Sequence, residues 1–280
     1  MRTIQSEEIT KAIREMCIAA NYQLSPDVSA AVKKARQEEN SELGKHILSK
    51  LCENLEIAAN DQIPICQDTG MAVIFLKIGQ EVKIEGAFIG DAVNEGVRQG
   101  YQDGYLRKSI VKDPIERENT KDNTPAVIHY EIVPGDQIHI TVAPKGFGSE
   151  NMSRIYMLKP ADGIEGVKKA VLETVALAGP NACPPIVVGV GIGGTFEKAA
   201  ILAKKALTRS LKERSKIPYV KDLEEELLEK INELEIGPAG LGGTTTALGV
   251  NVETYPTHIA GLPVAINICC HVNRHVTRVL

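Results

Sequence analysis

The apolar period of this chain changes near residue 63, and the order of elements on either side limits the folds open to it. Residues 3 to 62 read as helical, with Ile4, Ile9, Ile13, Cys17 and Ala20 on one stripe. Ser25-Pro26-Asp27 marks a second helix start, a serine followed by proline at the first helical position. That helix is expected to run to about Glu39, and a third from about Ser41 to Asn60 through Ile47, Leu51, Leu55 and Ala58. The stretch from Ile63 to Gly70 then breaks the helical pattern at Pro64 and Gly70. Beyond it, Ala72–Ile78 reads as a strand, Gly86–Gly104 as a helix, and the polar run 107–125 as a long connection. Ala126–Ile132 and Gln137–Val142 alternate like two strands paired across Pro134-Gly135-Asp136. A second polar loop is expected at 144–151, helices at Gly163–Gly179, Phe196–Glu213 and Val220–Leu234, and strands at Pro185–Val190, Val250–Glu253 and Pro263–Cys269. The fold class predicted is mixed α/β (α+β), a helical N-terminal region followed by mixed sheet elements and helices, rather than a regular doubly wound sheet.

The length, 280 residues, suits one large domain or two small ones. A net charge of −4 with no basic tract argues against nucleic acid as a partner. No apolar run reaches membrane-spanning length, and the charged, amphipathic start MRTIQSEEITKAIREM lacks a signal-peptide core. The expected location is the cytoplasm, where the six cysteines, at 17, 52, 66, 183, 269 and 270, would be reduced.

Gly189-Val-Gly-Ile-Gly-Gly194 matches the dinucleotide-binding fingerprint, since it follows a strand and opens a helix. The fingerprint also needs a second strand ending in an acidic residue, but the helix here runs into Lys204-Lys205 and then a charged stretch. A tight strand-to-helix turn, with Thr195 at the N-cap, accounts for the glycines. The glycine-rich segment Gly237–Gly243 similarly lacks the lysine of a nucleotide-binding loop.

Cys17 and Cys52 fall on helical stripes and read as core packing. Cys66, Cys183 and Cys270 sit instead at loop or strand ends beside prolines, glycines or His271, which suits thiolate ligands. Three such thiolates could hold zinc with a histidine, or an iron–sulfur cluster, and their spacing leaves both open. Arg107, Lys108, Lys112, Lys145 and Arg154 lie on the polar loops, where guanidinium would bind carboxylate bidentately unless the charges form a solvated face. Gly146 and Gly148 would let a backbone amide approach a carboxylate. His258, just upstream of the strand to Cys270, is a polar site candidate or a structural histidine.

These motifs resemble those of class I fumarate hydratases and L-tartrate dehydratases. Ile65-Cys66-Gln67-Asp68-Thr69-Gly70 is similar to that family's cluster loop. Arg107-Lys-Ser109, Asp113-Pro114, Asn119-Thr120 and Asp122-Asn-Thr-Pro125 resemble its substrate loop. Lys145-Gly-Phe-Gly-Ser-Glu-Asn151, Cys183-Pro-Pro185 and Cys270-His-Val-Asn-Arg274 follow in the same order. The resemblance implies a [4Fe–4S] cluster held by Cys66, Cys183 and Cys270 with one iron left open, within one hydro-lyase domain or between two subdomains. It further implies Asp68 and His258 as catalytic groups, and Gln67, Arg107 and the Gly148 backbone as substrate contacts. Asp68 would pair with His258 or orient the substrate.

Phe147 replaces the family's usual middle glycine, and Cys269 next to Cys270 leaves the third ligand to be decided between them. Neighbouring residues on a strand face opposite ways, so only one of the two suits the cluster. Single-chain members carry a C-terminal catalytic domain, which is expected to be absent from this chain. A separate beta subunit is therefore expected, in a homo-oligomer of alpha or an α2β2 heterotetramer acting on a small dicarboxylate. Hydration of fumarate to (S)-malate is the expected reaction, with L-tartrate dehydration as the alternative within the family. A non-catalytic metal- or cluster-binding scaffold for the beta subunit is the alternative of another class.

Overall fold

The computed structural model describes residues Arg2–Leu280. In chain order they form β1 (Arg2–Gln5), α1 (Ser6–Tyr22), α2 (Pro26–Glu38), α3 (Glu42–Asp61), β2 (Met71–Gly79), β3 (Val82–Glu85), α4 (Ile89–Asp103), β4 (Val127–Val133) and β5 (Ile138–Lys145). There follow α5 (Phe147–Glu150), β6 (Arg154–Leu158), α6 (Gly163–Ala178), β7 (Ile186–Gly193), α7 (Phe196–Ala206), α8 (Pro218–Asn232), β8 (Ala247–Tyr255), β9 (Leu262–Cys269) and β10 (Val276–Val279). The architecture is mixed α/β, as the sequence predicts. The chain divides into two compact units.

One unit comprises the N-terminus through Ser25, Asn54–Phe147 and Arg274–Leu280. Its main sheet runs β10-β5-β2-β4. Strand β2 lies between the other two long strands, parallel to β4 from Val73↔Val127 and antiparallel to β5 from Met71↔Lys145. The hairpin predicted between residues 126 and 142 is thus not a pair, because β2 is inserted between its two strands. Residues 3–5, predicted helical, belong instead to β1, which pairs in parallel with β3. The apolar stripe of α1 faces the core with Ile9, Ile13 and Cys17 fully buried, together with Leu76, Val93 and Ile140. Glycines bring α4 close to α1: a Cβ on Gly100 would stand 2.9 Å from the Arg14 carbonyl oxygen.

The second unit comprises Pro26–Glu53 and Gly148–Asn273. Its sheet runs β6-β9-β7-β8, with β7 parallel to β8 and antiparallel to β9. Val171, Val188, Val190, Leu227 and Ile266 form the heart of its core. Helix α7 lies directly on β7. A Cβ on Gly189 or Gly191 would come within 2.1 Å of the Ala203 or Ala199 carbonyl oxygen, so the glycines of the fingerprint-like run serve helix–strand contact. Thr195 occupies the N-cap position of α7, but its hydroxyl donates to Glu197 at 2.6 Å rather than capping the backbone. The helix ends at Ala206, well short of the predicted Glu213. No helix among the described residues is long and apolar enough to cross a membrane.

Candidate functional site

In the first unit the Cys66 loop is pinned by its backbone. Ile65 N–H donates to the Asn21 carbonyl at 2.9 Å, and Asn54 Nδ2 donates to the Ile65 carbonyl at 2.9 Å. Cys66 follows with its thiol half-buried, 3.4 Å from Gln67 Oε1. Gln67 itself is exposed. Both carboxylate oxygens of Asp68 accept backbone N–H bonds, Oδ1 from Gly70 and Oδ2 from Phe147, each at 3.0 Å. The carboxylate is therefore fixed in place, and a Cβ on Gly146 would lie 3.0 Å from it. Phe147, the departure from the family pattern, contributes its amide while its ring is exposed.

Several residues that sequence reasoning did not select tie this loop to the Arg107 loop. Thr69, 1% exposed, accepts the Arg107 N–H at 2.9 Å and donates to the Arg107 carbonyl at 3.3 Å. Tyr101 is fully buried, donates to the Thr69 and Gly70 carbonyls at 2.8 and 3.0 Å, and has its phenol pKa raised by burial. Buried Asn123 donates to the Gly70 carbonyl and accepts the Ser109 N–H at 2.7 Å. Arg107, on an exposed position, is thereby held beside Thr69.

Two cations beneath this loop are buried. Arg274, 3% exposed, donates from Nε to the Pro144 carbonyl at 3.2 Å and from Nη2 to the Asp68 carbonyl, while its Nη1 is buried without a protein partner. Lys145, 5% exposed, ends β5 and donates to the Gly146 carbonyl at 3.1 Å. The loop expected at 144–151 is corrected accordingly: β5 extends to Lys145 and α5 occupies Phe147–Glu150. Arg154 begins β6 and donates to the Asn151 and Ser153 carbonyls.

In the second unit Cys183 precedes β7 and Cys270 follows β9. The register Val187↔Cys269 places both cysteines at the same end of the sheet. Cys183 adopts φ 53° and donates its N–H to the Pro180 carbonyl at 3.0 Å. Its own carbonyl lies 3.2 Å from His271 Nδ1, which links the Cys183 turn to the residue after Cys270. Gly148 is exposed, and a Cβ there would meet nothing within 4 Å. His258 precedes β9 at its other end, and its Nδ1 accepts the Ala260 N–H at 3.2 Å. Strand β9 separates it from Cys270 by roughly 24 Å, at about 3.4 Å per residue. The structure does not bring His258 to Cys183 or Cys270.

The donor set fits a thiolate-held cluster. Cys183 is exposed and Cys66 and Cys270 are partly so, whereas Cys17, Cys52 and Cys269 are buried. Burial pushes the Cys17 thiol up to about 12, which disfavours the ligating thiolate. Cys269 packs against Val187 and Leu207, which leaves Cys270 as the accessible member of the pair. Among the described residues no three His, Cys, Asp or Glu side chains are grouped closely enough to hold a single metal ion.

The family model described as fumarate hydratase (fumerase) matches residues 10–279. A Methanocaldococcus jannaschii chain, named provisionally as an L(+)-tartrate dehydratase subunit alpha, is 45% identical over 277 residues, covering 97% of this chain and 97% of its own. The L(+)-tartrate dehydratase subunit alpha of Escherichia coli K12 is 32% identical over 277 residues, covering 96% of this chain and 90% of its own. The chain belongs to the class I fumarate hydratase family and is a hydro-lyase.

Proposed function

We propose that this chain is the alpha subunit of a two-subunit iron–sulfur hydro-lyase, in which Cys66, Cys183 and Cys270 hold a [4Fe–4S] cluster and the substrate is a small dicarboxylate. The observation that carries this reading is the partition of the thiols: the three that the family motifs select are the three that are accessible. When bound, a cluster with three protein thiolates supplies one open iron as a Lewis acid toward a hydroxyl and carboxylate.

The chain's own residues prepare the substrate. Arg107, its backbone held by Thr69, presents a guanidinium fork for one carboxylate. The Gly148 N–H and the Gln67 side chain orient the other end, contributing mainly through alignment. Asp68 is locked by two amides, so it acts as a fixed negative group that orients the substrate hydroxyl. Buried Arg274 and Lys145 offset that charge and favour an anion nearby. The base that takes the C3 proton is assigned to the beta subunit, in keeping with the "subunit alpha" in the relatives' names. His258, a strand's length from Cys270, receives no role at its own chain's cysteines.

Fumarate and (S)-malate are the first substrate pair of this reading. L-tartrate, dehydrated to oxaloacetate, is the second, and the names of the relatives favour it. Anaerobic co-expression with the beta chain, followed by turnover of fumarate, (S)-malate and L-tartrate side by side, tests both. Preference for one substrate by more than about 100-fold in kcat/KM, a gap of about 2.7 kcal/mol, assigns it. A complex that binds stoichiometric zinc, contains no acid-labile sulfide and turns over none of the three overturns the proposal in favour of a scaffold.

A further inference from the structure

Glu39 is 1% exposed, yet it is a carboxylate, and its partners explain why it is there. Its Oε1 accepts the N–H groups of Asn40 and Ser41, each at 2.9 Å, and that of Thr244 at 2.8 Å. It also accepts the Thr244 hydroxyl at 3.1 Å, and its Oε2 accepts the Thr245 N–H at 2.8 Å. One side chain thus joins the end of α2 to the far end of the glycine-rich loop 237–245. The approach is close enough that a Cβ on Gly243 would lie 2.7 Å from Glu39 Oε1. Burial alone would raise this carboxyl. The amides of Ser41 and Thr244 outweigh it and hold the group at about 2.

The other side of the same loop carries the Cys183 turn. A Cβ on Gly240 would fall 2.3 Å from the Pro180 Cβ, and Ala239 donates its N–H to the Pro184 carbonyl at 2.8 Å. Pro180 and Pro184 bracket Cys183, whose N–H donates back to the Pro180 carbonyl. Gly240 has φ +76°, a conformation that an L side chain rarely adopts. The loop is therefore a rigid spacer between a buried anion and the cysteine turn. Neither a phosphate-binding nor a nucleotide-binding role is needed to explain its glycines.

We infer that Glu39 is a positioning residue for Cys183, acting through the Gly237–Thr245 loop. The inference rests on the reading of Cys183 as a cluster ligand only for its functional consequence; the mechanical coupling stands on the contacts alone. Glu39→Gln keeps an oxygen in the Oε1 position, so it loses mainly the Thr245 bond. Glu39→Ala loses them all. A graded effect is the signature expected.

The test uses the metal-free full chain and the anaerobically assembled complex with its beta subunit. In the full chain, iodoacetamide modification of Cys183 and Cys66 is followed by peptide mass mapping. Glu39→Ala is expected to raise the Cys183 rate about threefold or more, as a loop without its anchor opens locally, with Cys66 unchanged and Glu39→Gln in between. Gly240→Ala, which leaves Glu39 intact, is expected to shift the same ratio and serves if Glu39→Ala does not fold. In the complex, iron and acid-labile sulfide per chain are expected to fall in the same order, with Cys183→Ser lowest. An unchanged Cys183-to-Cys66 ratio in folded Glu39 and Gly240 variants overturns the inference. Full iron and sulfide in Cys183→Ser overturns instead the assignment of Cys183 as a ligand, while the modification ratio still judges Glu39.

Discussion

The guanidinium of Arg274 donates to the backbone carbonyl of Asp68, and a second nitrogen of the same group donates to the carbonyl of Pro144. One buried cation thus fixes both the loop that presents Cys66 and the strand end that leads to Gly146. Arg274→Met removes the donor to one buried and one partly buried carbonyl and is expected to cost about 2–3 kcal/mol in urea unfolding. Arg274→Lys keeps the charge without the planar fork and should recover only part of that. Losses below about 0.5 kcal/mol in both variants, the range of ordinary surface changes, would remove Arg274 from this role.

Thr69 offers a cleaner separation of binding from fold. Thr69→Val preserves shape but removes the hydroxyl that receives the Arg107 N–H. The expected result in the complex is a KM for the dicarboxylate raised about tenfold, near the 1.4 kcal/mol of a lost buried hydrogen bond, with kcat changed less. A kcat loss at unchanged KM would show that Thr69 does not act through Arg107.

The six thiols divide into two sets that substitution can tell apart. Serine at Cys66, Cys183 or Cys270 is expected to abolish iron and sulfide retention while the far-UV spectrum stays native. Alanine at Cys17, Cys52 or Cys269 is expected to keep the cluster at a packing cost of about 1 kcal/mol each. Loss of the cluster in Cys269→Ala with retention in Cys270→Ala would reverse the choice between these neighbours.

Acid stability carries the mark of Glu39. Its folded carboxyl sits at about 2 against an ordinary 4.5, so the unfolded chain takes up the proton first as pH falls. The stability it provides is complete above about pH 4.5 and drains away toward pH 2. Glu39→Gln should lower stability at pH 7 and flatten the slope between those limits, measured by urea unfolding at a series of pH values. An undiminished slope in the variant would assign the acid sensitivity to other carboxylates.

Much of the fold was legible because helices α1 to α3 and strands β2, β7 and β9 write their burial directly into apolar periodicity. Partners were less legible. The alternation in β4 and β5 shows that each is a strand, but nothing local reveals that β2 lies between them. The burial of Lys145 is not legible locally, because lysine is almost always solvated, and only the tertiary structure shows the residue enclosed. Thr69, Tyr101 and Asn123 act by hydrogen bonds to backbone far along the chain, which composition and spacing do not record. Closeness in sequence is likewise no measure of closeness in space: His258 and Cys270 stand near each other along the chain, yet they lie beyond opposite ends of β9.

The paired cysteines at the end of β9 turn strand register into chemical selection. Cys269 lies against Val187 and Leu207, while its neighbour is accessible. A slip of a single residue along β7 would exchange the two, burying the accessible sulfur and exposing the packed one. The ladder that fastens β9 between β6 and β7 therefore decides which of two identical side chains is offered at the surface.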